Sequence, residues 1–395
     1  MRTQAIIHID RFIRNLNAVK SRIEQNGHPD RRICIPVKAD AYGHGAIQIA
    51  KASLEKTENT GAICFGVATV DEGTELRKGG IKAPILLLSQ THINEIPAVI
   101  DAALTPLISD SSYADALNER AKAEKIRFPV HIKIDTGMGR IGCPVEEAMD
   151  LARFIAGCPG LEITGTATHF AASDSTDEQD INSTKAQISH FRETVETIRA
   201  AGIDPGIVHA ANSGAVILHP ESWFDMVRPG ILLYGYKPAE ESELPNFPYE
   251  PLKAEPVMEL QSAVVLIKKI RKGDSVSYGR TWIADQDTNI AIIPAGYADG
   301  FPRLLSGKWH VIIRGKAYPQ VGRICMDQCC VNLGPETDVR RWDEAVIFGG
   351  SVQGQPGESS HFENHDASAL AARIGTIPYE ITCNISARIP RIYKG

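Results

Sequence analysis

Ile35-Pro36-Val37-Lys38-Ala39-Asp40-Ala41-Tyr42-Gly43-His44-Gly45-Ala46 decides how the rest of this chain reads. The β-branched run over 33–37 predicts a strand, and Lys38 closes it. A turn of small residues follows, with Tyr42 between Ala41 and Gly43, and helical sequence begins at Gly45. A lysine at the C-terminal end of a buried strand can shed its charge and act as an amine nucleophile toward a carbonyl. Taken singly, Lys38 reads as a solvated loop lysine, because charged groups are seldom buried without a partner. Its setting in the whole chain reverses that reading.

Outward from this strand, short apolar runs alternate with helical stretches up to about residue 235. Eight strands are predicted, at 33–37, 64–67, 85–88, 104–108, 130–134, 163–168, 208–210 and 226–228. The clearest helix is 178–200, where Ile181, Ile188, Phe191, Val195 and Ile198 share one face at helical spacing. Val70-Asp71-Glu72 opens another, which stops at Gly79-Gly80. Eight strand–helix units imply a parallel sheet closed as a (β/α)8, TIM-type barrel. An open doubly wound sheet is the alternative, but it wants a Gly-rich dinucleotide loop after its first strand, and Gly43-His44-Gly45 lacks the third glycine. The Pro- and acid-rich stretch 237–256 reads as a linker. The barrel is thus expected over 1–240 and a mostly-β domain over 241–395, with strands at 257–270, 274–282, 290–293, 310–313, 321–331 and 345–348 and one helix near 366–374. Residues 3–9 read as a strand for which a barrel has no use, and they are expected to pair into the C-terminal domain.

The 395 residues, 43% of them hydrophobic, suffice for two cored domains. A formal charge of -6 with no basic stripe argues against nucleic acid as a partner. The first fourteen residues lack the apolar core and cleavage site of a secretory signal, and no run approaches the roughly 18 apolar residues of a membrane helix. Eight cysteines, none in a CxxC pair, fit reduced thiols in the cytoplasm. Cys325, Cys329 and Cys330 are placed along one strand by alternation, which disfavours a metal site.

The unusual polar residues fall where the predicted strands end. Lys133 lies in strand five and Arg140 in the loop behind it; His169 ends strand six; Asn212-Ser213 follows strand seven; Arg228 ends strand eight, before Pro229-Gly230. Each has an ordinary explanation: a surface ion pair for Arg140, a satisfied core histidine for His169, a helix cap for Asn212-Ser213. Together they converge on the rim where such barrels build active sites. Turns at Ser213 and Gly230 offer backbone N–H groups to a phosphate, with Tyr42 as an added O–H. Arg228 stays protonated, so a pyridine nitrogen facing it would remain unprotonated. A lysine, a phosphate cup and a pyridine partner describe a pyridoxal 5′-phosphate site.

PVKADAYGHG resembles the cofactor-lysine motif of the alanine racemases. The likeness continues in order through HIKIDTGMGRIG, THFAASD, HAANSGAVILHP, FDMVRPGILLYG, VSYGRTW, PAGYADG, VGRICMDQ and GTIPYE, over about 33–393. The resemblance implies that Lys38 carries the cofactor and is one of two acid/bases, with Tyr278 the second. It implies a homodimer in which Tyr278, Met326 and Asp327 enter the partner's site. It gives phosphate contacts to Tyr42, Ser213, Gly230, Ile231 and Tyr379, and puts His169 and Arg228 beside the ring. Arg140 would meet the substrate carboxylate, Tyr297 would stand at the entrance, and Lys133 matches a lysine carbamylated in many members. The implied activity is interconversion of L- and D-alanine, supplying D-alanine for peptidoglycan. A racemase of broader or different amino-acid specificity, a decarboxylase of the same architecture, and a non-enzymatic cofactor-binding protein remain as rivals. Arg228 fits a decarboxylase poorly, since that enzyme wants an acid at the pyridine.

Overall fold

Each barrel strand forms where β-branched and small apolar residues run together. These are β1 (Arg32–Pro36), β2 (Ile63–Val67), β3 (Ile85–Leu87), β4 (Thr105–Ile108), β5 (Phe128–Asp135), β6 (Leu161–Ala167), β7 (Ile207–His209) and β8 (Met226–Val227). All eight predicted strands are present. The computed structural model describes residues 2–27, 30–56, 63–239, 250–349 and 365–395. Part of the expected linker, at 240–249, lies outside them. The chain divides into two units, one of Ile13–Ala41 with Gly45–Ala254, the other of Met1–Phe12, Tyr42–His44 and Glu255–Gly395.

In the first unit the strands pair in parallel in the order β4-β3-β2-β1-β8-β7-β6-β5, and β4 pairs with β5 to close the barrel. Helices α1 (Ala46–Glu55), α2 (Val70–Lys78), α3 (Ile96–Asp101), α4 (Ser111–Ala123), α5 (Ala148–Ala156), α6 (Glu178–Ala200) and α7 (Ser213–Leu218) link successive strands. In α6, Ile188, Phe191, Val195 and Ile198 are buried as their spacing predicts, while Ile181 near its start is half-buried. Around β1, Ile33, Cys34, Ile35 and Val37 are buried. Each such branched aliphatic side chain contributes about 1.5–3 kcal/mol.

The second unit is built on a nine-stranded sheet that includes Gln4–His8, which pairs antiparallel to Met258–Ala263 and parallel to Arg391–Lys394. Three expected strands need correction. The run 257–270 is two strands, Met258–Ala263 and Leu266–Ile270, because they join different neighbours. The run 274–282 is a two-residue hairpin, Ser275–Val276 with Trp282–Ile283, with Tyr278 on a 3-10 turn between them. The run 321–331 is the end of Lys316–Val321 and the start of Cys329–Gly334, which pair antiparallel. Cys325 therefore lies in a connection rather than along a strand with Cys329 and Cys330.

Candidate active site

Lys38 leaves β1 into an unusual turn. Ala39, Asp40, Ala41 and Tyr42 have φ of 52°, 52°, 54° and 53°, a left-handed helical run without glycine. Such residues cost roughly 1–2 kcal/mol each there. Four backbone N–H groups find partners that hold the turn. Ala41 N–H donates to Val37 O (2.8 Å) and Gly45 N–H to Asp40 O (2.8 Å). Ala46 N–H donates to Asp40 Oδ1 (2.8 Å), and Ala39 N–H to Glu72 Oε1 (2.7 Å). Glu72 also caps α2, its Oε2 accepting from Ala68 N (2.7 Å) and Thr69 N (3.2 Å). Strain of this kind persists only where its surroundings over-determine it, and it gathers at functional sites.

Lys38, Lys133, Arg140, His169 and Arg228 line one cavity of about 350 Å³, with Leu88, Gln90 and Leu107 completing part of its wall. Arg228 organises the polar side. Its Nη1 donates to His209 Nδ1 (2.7 Å). Its Nη2 donates to Thr168 O (2.8 Å), Ala210 O (2.8 Å) and His169 Nδ1 (3.1 Å). Arginine has no acceptor, so Nδ1 of both histidines must be unprotonated and their protons sit on Nε2. Burial, and then the Arg228 charge, push both imidazoles well below the ordinary histidine range. Burial lowers Arg228 itself to about 10, which leaves it cationic at neutral pH.

Lys133 is buried between Arg228 and Arg140, and burial followed by those two charges holds its amine well below the usual lysine value. Arg140 is set by Asp135. Burial works against that carboxylate, but N–H donors from Gly137, Gly139, Arg140 and Met138 outweigh it and lower its pKa. Asn212 fills the capping role: its Oδ1 accepts from Ala215 N (3.0 Å) and from Ser173 Oγ (2.7 Å). Ser213 Oγ accepts from Gly230 N (2.8 Å) and Leu232 N (3.3 Å). Those bonds draw the Ile231–Tyr234 turn in, and the Ile231 N–H opens it without an intrahelical acceptor.

The other predicted residues belong to the second unit. The rings of Tyr42 and Tyr379 pack at 5.8 Å. Tyr278, Met326 and Asp327 line an open concavity of about 550 Å³. Tyr278 is 70% exposed, although Ser277 beside it is pinned through Oγ to Arg323 O (2.6 Å). Tyr297 is tied to the same loop by Tyr297 N→Cys325 O and Ala298 N→Met326 O, both 3.0 Å. Gly296 permits that approach, since a Cβ there would lie 2.4 Å from Met326 O. Asp327 is engaged by Arg388 at 2.8 Å.

Sequence reasoning missed Glu72, His209 and His131. Glu72 has a readable signal, the Thr69-x-x-Glu72 capping box. His209 opens a motif quoted above and His131 opens another, but neither stood out as chemistry. No helix among the described residues is long and apolar enough to cross a membrane, and no cluster of metal-ligating side chains occurs among them. All eight cysteines are free thiols.

Family models for the N-terminal and C-terminal domains of alanine racemase match residues 7–238 and 257–393. The chain is 47% identical to the alanine racemase of Treponema denticola over 99% of its own length and 98% of the relative's. It is 38% identical to that of Desulforamulus reducens over 96% and 98%. Among solved structures, the alanine racemase of Clostridium difficile superposes with a TM-score of 0.88 at 34% identity, covering 100% of this chain and 96% of the other. That of Bacillus anthracis with bound L-Ala-P gives 0.86 at 32%, covering 100% and 96%.

Proposed function

The chain belongs to the alanine racemase family, and on that premise we propose that it interconverts L- and D-alanine with pyridoxal 5′-phosphate held in the barrel, supplying D-alanine for peptidoglycan. The observation that carries the reading is the single cavity shared by Lys38, Arg140, His169 and Arg228. Its donor set suits the cofactor: an amine at Lys38, a guanidinium that keeps its proton, and the Ile231 amide at the head of the turn that Ser213 draws in. When bound, pyridoxal phosphate supplies the electron-withdrawing system that acidifies the substrate α-proton.

The chain's own groups move the protons. Lys38 takes or returns the α-proton on one face. Tyr278 of a second copy does so on the other, which suits an aromatic residue left 70% exposed on a fixed turn. Met326 and Asp327 would accompany it, in a homodimer. A phenol has an unperturbed pKa of about 10, so it needs help near neutrality. His169 provides it: with Nδ1 turned to Arg228, its Nε2–H is free to donate to a phenolate. Arg228 donates an N–H without releasing its proton, so a ring nitrogen held against it would stay unprotonated and withdraw electrons less, which would restrain transamination. Arg140 binds the substrate carboxylate. Lys133, whose amine burial holds well below the usual lysine range, would attack carbon dioxide and release a proton to give a carbamate, whose negative charge would position Arg140. By the family resemblance, Tyr42, Tyr379, Asn212, Ser213, Gly230 and Ile231 would be the remaining residues to hold the cofactor, and Tyr297 would stand at the entrance. Eight free thiols support a cytoplasmic location.

The test is deuterium exchange. L-alanine, L-serine and L-lysine are offered separately in D2O with pyridoxal phosphate, followed by chiral analysis. Deuterated D-alanine with little from the others is expected, and Lys38→Ala should abolish it. Racemisation mainly of another substrate, loss of the carboxyl group, or full activity of Lys38→Ala would overturn the reading.

A further inference from the structure

The barrel has a second cavity, at the opposite end from Lys38. It measures about 250 Å³ and opens where the strands begin, lined by Arg32 at the start of β1, Thr105 at the start of β4 and Ile207 at the start of β7. Leu86 and Met226 give it apolar walls, and among the described residues no aspartate or glutamate lines it.

Its inner end carries a directed donor. His131 is 3% exposed and lines the cavity. Its Nδ1 lies 2.8 Å from His209 Nε2. His209 Nδ1 must accept from Arg228, so its proton is on Nε2 and is donated to His131 Nδ1. His131 is thereby fixed in the tautomer with its proton on Nε2. Burial, and then Arg228, lower its pKa to about 3, so it stays neutral. Among the described residues no acceptor takes that Nε2–H. Gly165 makes room for the ring, since a Cβ there would lie 2.5 Å from His131 Cε1. The ring lines the cavity, so this N–H is left to whatever fills that space.

We propose that this lower cavity binds a small aliphatic monocarboxylate, with the acid group accepting from His131 and the Arg32 charge at the mouth drawing the anion in. The chemistry selects that class. Arg32 is exposed at the mouth and supplies positive charge, while among the described residues no carboxylate lines the cavity to balance an ammonium group. An α-amino acid is therefore excluded, although it fits the upper cavity. At roughly 30 Å³ per water-sized group, the volume takes about eight heavy atoms, or a carboxylate with about five carbons. The hydrocarbon chain would lie against Leu86, Ile207 and Met226. Its acid group would sit at one end of the hydrogen-bonded line His131–His209–Arg228–His169 that reaches the upper site.

The experiment is calorimetric titration of the holoenzyme with pentanoate, with and without saturating racemic alanine, and with pentylammonium as the cationic control. The expected result is one saturable site per chain that persists under alanine and ignores pentylammonium. Arg32→Gln should raise its Kd at least tenfold and Arg32→Lys should restore most of it; both changes are at an exposed side chain. Binding abolished by alanine would assign pentanoate to the upper site. Binding untouched by Arg32→Gln, or no saturable binding, would leave the cavity a solvent pocket. Each of these results overturns the proposal without bearing on racemisation.

Discussion

Replacing Glu72 should loosen the turn behind Lys38, although Glu72 lines neither cavity. Its carboxylate accepts three backbone N–H groups, from Ala39, Ala68 and Thr69. Hydrogen bonds to a charged group contribute about 1.5–3 kcal/mol when buried. Glu72 is only half-buried, so about 1 kcal/mol each is the fairer figure, or about 3 kcal/mol in all. The four left-handed residues cost roughly 4–8 kcal/mol together. Glu72 thus offsets a large share of the strain that sets the direction of Lys38. Glu72→Ala should lower Tm of the apo-protein by about 6–12 °C, at about 2–4 °C per kcal/mol for a unit of this size. It should also weaken pyridoxal phosphate binding at least tenfold, followed by absorbance titration. Thr69→Ala is the control: it removes the side-chain cap on Glu72 N but spares the bond to Ala39. It should cost about 1 kcal/mol of stability and leave cofactor affinity within twofold. If Glu72→Ala keeps wild-type cofactor affinity while Tm falls, the carboxylate is only a cap and the reasoning about the turn is wrong.

Three further outcomes test the site. Tyr278→Phe keeps the ring but removes the O–H; it should cut L-to-D turnover at least a hundredfold while cofactor affinity stays within twofold, and equal loss of both would point to a structural role. Arg228→Glu replaces a donor that keeps its proton with an acid, and should raise the ratio of transamination to racemisation; an unchanged product ratio would count against the pyridine argument. Acid should destabilise the protein through His131, His169 and His209, whose pKa values are all depressed in the fold. The folded state then binds fewer protons than the unfolded one, so their contribution is intact above an unfolded pKa of about 6.5 and is lost as pH falls below it. Unfolding in guanidinium at pH 5.5 should take up about 0.9 proton less in His131→Gln than in wild type, measured by titrimetry, and equal uptake would mean that His131 is not held neutral.

The barrel was legible because its signal is repetitive. Eight apolar runs, each followed by a helical period, leave few topologies, and Lys38 was visible as a lone charge closing such a run. The C-terminal strands were harder because their ends depend on partners. Val264 N bonds Asp343 O while Val265 N bonds Ile292 O, so the chain changes neighbours between two valines that alternation reads as continuous strand. The hairpin at Tyr278 turns on Ser277 at φ 66°, a conformation that serine does not advertise. The left-handed run after Lys38 was hidden for the same reason, since Ala39, Ala41 and Tyr42 have no preference for it.

What the sequence held but did not yield is the interior polar layer. In β5 a period of two puts His131 and Lys133 on one face, and the barrel turns that face inward. β7 ends on His209, and Arg228 follows β8 directly. A buried histidine, lysine or arginine is costly unless it is partnered, so four such residues cannot each be a private accident of packing. They must satisfy one another or face a ligand. Arg228 can only donate, and that one asymmetry fixes the direction of every bond in the layer: His209 accepts and passes a proton-bearing edge to His131, while His169 accepts and turns its own N–H outward. Both ends of the line finish in a donor. A barrel core arranged that way presents an N–H to each mouth, and this is why one network accounts for the neutral His169 that the racemase reading needs and for the unfilled His131 that reading does not use.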